Sequence, residues 1–341
     1  MTRTSLPTDS NSASRIPLRW LGVGLGIAVL MVCLLLNLTL GAADINPITV
    51  WRSLITFDGS TEHLIIQTVR LPRVLIAAAV GAALAVAGAL MQGLSRNALA
   101  DPTILGISSG ASLAVVGTTF LFGNASMQVY TWVAFGGAAL TAIAVYTLGS
   151  IGRQGASPLK LVLAGSVMSY LLAALTTGLL ILNQRTLDEV RFWLAGSVAG
   201  RNLDILGNVL PYVVVGLLLA FSLGKPMTTL ALGEDVARSL GLRTGWTRGL
   251  VAIAIVLLAG SSVALAGPIG FVGLIVPHVV RFWVGVDYRW ILPYAAIWGA
   301  ILLSFSDLVA RLIIRPQELP VGIMTALVGA PFFIYLARSN G

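Results

Sequence analysis

Glu234 and Arg238 stand one helical turn apart in the segment Ala231-Leu-Gly-Glu-Asp-Val-Ala-Arg-Ser-Leu-Gly-Leu242, a polar interruption in a chain otherwise dominated by apolar residues. That spacing suits an ion pair. Glu234 and Asp235 fall where a first helical turn favours negative charge, and Gly241 is placed to close the helix in a left-handed conformation, so a helix from Gly233 to Gly241 is predicted. Leu232, Val236 and Leu240 make an apolar edge beside the charges. A helix this short is unstable alone in water, so that edge must dock, either on its own chain or on a soluble partner. Other charged residues stand at the ends of apolar runs: Arg70 and Arg73 before one, Arg311 near the end of another with Asp307 four residues earlier. The arginines suit either bidentate capture of carboxylates or anchoring at a membrane interface, and Arg311 also suits an intrahelical pair with Asp307.

Covalent and metal chemistry find little support. The sequence has one cysteine, Cys33, inside an apolar run, and two histidines, His63 and His278, far apart, so no disulfide within one chain and no metal-ligand cluster is expected. Ser261, Ser262 and His278 lack catalytic spacing, and His278 reads as a packing residue, so no catalytic residue is assigned. There is no Gly-rich loop ending in Lys-Ser/Thr, so this chain is expected to bind no cofactor and any nucleotide belongs to another polypeptide.

The elements that must position these groups are membrane spans. Of 341 residues, 57% are hydrophobic and 10% charged, with mean hydropathy +0.92, too little polar surface for a water-soluble globule of this size. Apolar runs of membrane-crossing length give an all-α polytopic protein with about ten helices, at 18–40, 72–94, 103–122, 128–151, 159–182, 205–223, 248–267, 271–285, 291–313 and 321–338. The first is a span or, alternatively, a cleaved signal. The eighth is short and contains Pro277, leaving nine spans plus a re-entrant segment as the other count. Pro102, Pro268 and Pro277 are expected to break helices and to leave carbonyls needing partners. The domain reading is a disordered cytoplasmic tail at 1–17, a transmembrane domain at 18–338 with a cytoplasmic loop at about 224–247, and a short tail at 339–341.

With the N-terminus inside, about thirteen Lys and Arg fall on the cytoplasmic side and about eight outside, against about five and eight acidic residues, so the net charge of +8 sits on the cytoplasmic face. Both termini are then cytoplasmic. Ala77, Gly81, Ala85 and Ala89 recur every four residues, as close helix packing requires. Gly81-Ala-Ala-Leu-Ala-Val-Ala-Gly88 is echoed by Gly260-Ser-Ser-Val-Ala-Leu-Ala-Gly267 on a helix expected to run the other way, which suggests an inverted repeat of transporter type.

The 231–242 segment resembles the cytoplasmic coupling loop of FecCD-type permeases of ATP-binding-cassette (ABC) importers, the family that imports ferric siderophores, haem and cobalamin. Further segments agree in order: Val69-Arg-Leu-Pro-Arg73, Gly88-Ala-Leu-Met-Gln-Gly93, Asn97-Ala-Leu-Ala-Asp-Pro102 with Leu105-Gly-Ile-Ser-Ser-Gly110, the run Val263 to His278, and Glu318-Leu-Pro-Val-Gly322 with Gly329-Ala-Pro-Phe332. The resemblance implies a type II ABC importer permease in the cell inner (plasma) membrane, surrounded by lipid. Its implied partners are a second permease subunit, two cytoplasmic ATPases using ATP and Mg, and an extracytoplasmic binding protein; nucleic acid is not among them.

By the same resemblance Arg70, Arg73 and Arg311 receive acidic residues of the binding protein. Leu232, Gly233, Glu234, Asp235, Val236, Arg238, Leu240 and Gly241 couple to the ATPase, and Ser157, Pro158 and Leu159 mark a cytoplasmic gate. The implied cargo is a ferric siderophore, with cobalamin and haem open. From the residues alone an ion-coupled secondary transporter is the alternative, and only Asp307 could serve it.

Overall fold

The computed structural model describes residues 15–41, 44–151, 158–315 and 317–339, and among them there is no β-strand. The helices follow in order: α1 (Arg15–Thr39), α2 (Pro47–Ile55) and α3 (Thr61–Ile65), which runs through a π-helical turn (Ile66–Arg70) into α4 (Leu71–Ser95). A 3₁₀ turn (Pro102–Leu105) precedes α5 (Ile107–Phe122), then α6 (Met127–Ser150), α7 (Pro158–Leu182), α8 (Gln184–Leu194) and α9 (Leu203–Ser222). Two short helices, α10 (Gly224–Ala231) and α11 (Glu234–Ser239), lead to α12 (Thr244–Ala266), α13 (Val272–Val284), α14 (Tyr288–Leu312) and α15 (Val321–Ser339).

Among the described residues seven helices are long and apolar enough to cross a membrane, and three more apolar ones, α5, α13 and α15, are shorter. These ten are the segments expected from hydropathy. The helices α2, α3, α8 and α10 lie in connections that hydropathy left unassigned. Short polar side chains fix several helix starts: Ser60, Asn183 and Asn202 each accept a backbone N–H three residues on.

Helix α4 is the axis of the bundle, packing on α12, α13 and α14 with nearly every residue buried. Its small residues permit this. A Cβ added at Gly81 would lie 2.2 Å from the Gly299 carbonyl of α14, and one at Gly88 would lie 2.0 Å from the Gly273 carbonyl of α13. At both crossings backbone meets backbone. The end of α4 and the start of α12 share one cleft, through Leu94 and Arg248, so these two helices run in opposite directions. The two similar Gly/Ala stretches therefore sit on adjacent antiparallel helices.

Pro277 does not break its helix as expected. Helix α13 continues through it, and the Gly273 carbonyl, left without the Pro277 donor, is met from α4: Gln92 Nε2 donates to it at 3.3 Å and also to the Leu274 carbonyl at 3.2 Å. At thirteen residues α13 spans only about 20 Å, short of a full hydrocarbon crossing. Pro102 opens the 3₁₀ turn, and Pro268 lies in the non-helical link after Gly267.

Candidate functional sites at the two ends of the bundle

The α11 end is built as the spacing predicted. Glu234 is the hub: its two oxygens accept from Arg238 Nη2 and Arg248 Nη2, each at 2.6 Å. Arg248, on the first turns of α12, ties the short helix to a long one. Burial works against ionisation of the Glu234 carboxyl, but the hydrogen bond and charge of Arg248, then the charges of Arg238 and Arg96, outweigh it and hold its pKa below the usual value. Gly233 (φ +127°) enters the helix and Gly241 (φ +81°) ends it, with Leu242 N–H on the Ala237 carbonyl and Gly241 N–H on that of Arg238, both at 2.9 Å.

Among the described residues the apolar edge has no cover. Leu232, Val236 and Leu240 are 63, 44 and 66% exposed, while Ala237 is the residue of α11 that faces inward. Asp235 is exposed beside them. Of the two fates open to this edge in the sequence, packing on its own chain is not the one observed.

At the far end of α4 the three arginines come together, though not as exposed forks. Arg70, Arg73 and Arg311 are only 5, 6 and 4% exposed. Arg73 holds Asp307 through Nε (3.1 and 3.0 Å) and Nη2 (2.9 Å), and reaches Glu318 through Nη1 at 2.5 Å. Arg311 pairs with Asp307 at 3.4 Å and donates to the Asn37 side chain at 2.5 Å. Arg70 donates to the Leu38 and Thr39 carbonyls at the end of α1, at 2.7 and 2.8 Å. The cluster thus clamps the ends of α1, α4 and α14 and the loop before α15. Sequence spacing found Asp307–Arg311 but missed Glu318, Asn37 and the Arg73–Asp307 pair, whose members are 234 residues apart.

Of the gate residues, Ser157 lies outside the described residues, Pro158 opens α7, and Leu159 is exposed. His278 packs edge-on against Phe282 and Phe332, and His63 pairs with Asp58 at 2.9 Å. Among the described residues no group of three potential metal ligands occurs. Sequence reading also passed over Arg201, buried in the link between α8 and α9. Its Nε donates to the Leu265 carbonyl in the last turn of α12 at 2.7 Å. Burial lowers its pKa to about 10, and the carbonyl end of the helix suits the cation that remains.

A helical bundle of this kind, with a charged helix hung outside it at one end and an arginine–carboxylate clamp at the other, is a multi-pass membrane permease. The chain belongs to the FecCD transport family, whose family model matches residues 29–339. It is 48% identical over 320 residues to the "probable siderophore transport system permease protein YfiZ" of Bacillus subtilis (strain 168), covering 94% of this chain and 96% of that protein. Against the iron(3+)-hydroxamate import system permease protein FhuB of the same organism it is 44% identical over 315 residues, 92% of this chain and 82% of the relative. A solved structure described as an inward-facing metal-chelate type ABC transporter superposes with a TM-score of 0.82 at 30% identity, covering 95% of this chain and 99% of the other. The chain is therefore an ABC importer permease, a multi-pass membrane transport subunit.

Proposed function

We propose that this permease pairs with a second permease subunit, two cytoplasmic ATPases and an extracytoplasmic binding protein, and imports a ferric siderophore by alternating access. The exposed apolar edge of α11 carries the reading. An edge of three large aliphatic residues, held rigid by two ion pairs on Glu234, is built to be covered by another protein, and the chain has no nucleotide loop of its own. ATP and Mg are used by that partner, and its closure moves α10 and α11 as a unit. The positive-inside bias supports a cytoplasmic α11 end with both termini on that side. The start of α7, at Pro158 and Leu159, is then the gate at the cytoplasmic mouth.

The arginine clamp faces the binding protein. Each of its arginines is already engaged within the chain, so an incoming carboxylate acts by exchange: it replaces Glu318, the part-exposed acceptor, on Arg73. Arg70 and Arg311 hold the clamp's other walls. Glu318→Gln should then tighten capture of the detergent-solubilised permease by its binding protein, and unchanged affinity would remove the exchange.

Iron crosses as a finished chelate, since the sequence offers two separated histidines and one apolar-buried cysteine to a bare ion. The names of the relatives support a siderophore. Asp307 is held between two arginines, an arrangement that reads as structural and weighs against an ion-coupled carrier. The test is uptake of radiolabelled ferric hydroxamates, ferric catecholates and cobalamin in a strain lacking this chain. Loss of ferric-chelate uptake with normal cobalamin uptake is expected; the reverse would replace the cargo.

A further inference from the structure

A cleft of about 610 Å³ opens on the flank of the bundle just beneath the α11 end, within the size range of small-molecule sites. Its walls are apolar: Ile143 and Tyr146 from α6, Leu161 from α7, and Ala252 and Ile253 from α12. Ile143 and Ile253 are more than half exposed, and so is Leu140 one turn from Ile143, so the cleft continues into surface of the kind that meets acyl chains. Tyr146 lines it on the side of its charged residues, and aromatic residues favour the membrane–water interface.

The rim is cationic. Arg238 and Arg248 border the cleft together with Glu234, and Arg96 at the end of α4 acts on the same carboxylate. Two guanidinium groups and one carboxylate therefore line the rim, an excess of one positive charge over an apolar pocket. Arg248 Nε is buried and has no acceptor among the described residues. A buried donor without a partner costs free energy, so this guanidinium is under-satisfied by the chain itself.

We propose that this cleft binds an anionic phospholipid of the surrounding leaflet, with an acyl chain between α6 and α12 and the phosphate at Arg248 and Arg238. Basic pockets between helices at the membrane surface select such headgroups by charge, and each buried methylene adds to the affinity. Because the same two arginines fix Glu234, the bound lipid sets the position of α11, and coupling becomes sensitive to anionic lipid. Lipid binding needs only that the chain spans a bilayer, while its effect on coupling rests on the proposed docking of α11; neither depends on the cargo.

The assembled transporter, permease with its ATPases, is incubated in detergent with phosphatidylglycerol or phosphatidylcholine of identical chains, and retained lipid is read by native mass spectrometry. Phosphatidylglycerol should be retained about fivefold over phosphatidylcholine, as expected for one excess charge at the surface. Ile143→Trp fills the cleft from an exposed position and so leaves the fold intact. Both it and Arg248→Gln should bring phosphatidylglycerol down to the phosphatidylcholine level with all subunits present. Equal retention of the two lipids by the unaltered transporter would overturn the proposal, as would full selectivity in both variants. Loss of a subunit, rather than of lipid, in Ile143→Trp would make the cleft a subunit interface instead.

Discussion

Asp307 is 1% exposed and shares its charge between Arg73 of α4 and Arg311 of its own helix. Removing that charge leaves two buried guanidinium groups facing each other across the gap. Asp307→Asn should therefore destabilise the permease by about 3–5 kcal/mol, the range for breaking a buried ion pair from one side. Thermal unfolding in detergent measures it, and an unshifted midpoint would show that the clamp is not structural. At this scale the sequence revealed pairs that share a helix turn, Glu234–Arg238 and Asp307–Arg311, because four-residue spacing fixes their proximity before any folding. It could not reveal Arg73–Asp307, Arg248–Glu234 or Gln92 beneath Pro277, since each depends on how two distant helices cross.

Among the elements, the long apolar helices were legible because a bilayer demands about twenty apolar residues per crossing, a constraint written directly in composition. The helices α2, α3, α8 and α10 were missed because they are short, and α2, α8 and α10 also mix apolar with polar residues, without a membrane-length run to announce them. Helix α11 was found from its caps and charges despite being only six residues long. Its exposed edge makes a prediction at the same scale. Leu232→Asp with Leu240→Asp should leave the permease folded, since both side chains already face outward, yet abolish co-purification of the ATPase and cargo-stimulated ATP hydrolysis. Normal hydrolysis in the double variant would exclude the edge as the coupling surface.

At the scale of the whole molecule, the two functional ends lie at opposite ends of α4, and which faces the cytoplasm is testable with the sole cysteine removed by Cys33→Ser. An impermeant maleimide applied to spheroplasts should label Glu62→Cys, before the π-helical turn, and not Ser239→Cys on α11. The opposite pattern would invert the topology and exchange the roles of the two ends. What the sequence determined by itself was the solvent the chain lives in, the number and order of its apolar helices, and the charged helix between α9 and α12; these follow from hydropathy, caps and spacing, which act over a few turns. Only the tertiary structure decided that the three arginines are buried in a clamp, that the edge of α11 is left bare, and that its arginines rim an apolar cleft. Those outcomes depend on backbone crossings such as Gly81 on Gly299 and Gly88 on Gly273, which set what lies beside what and carry no local signature.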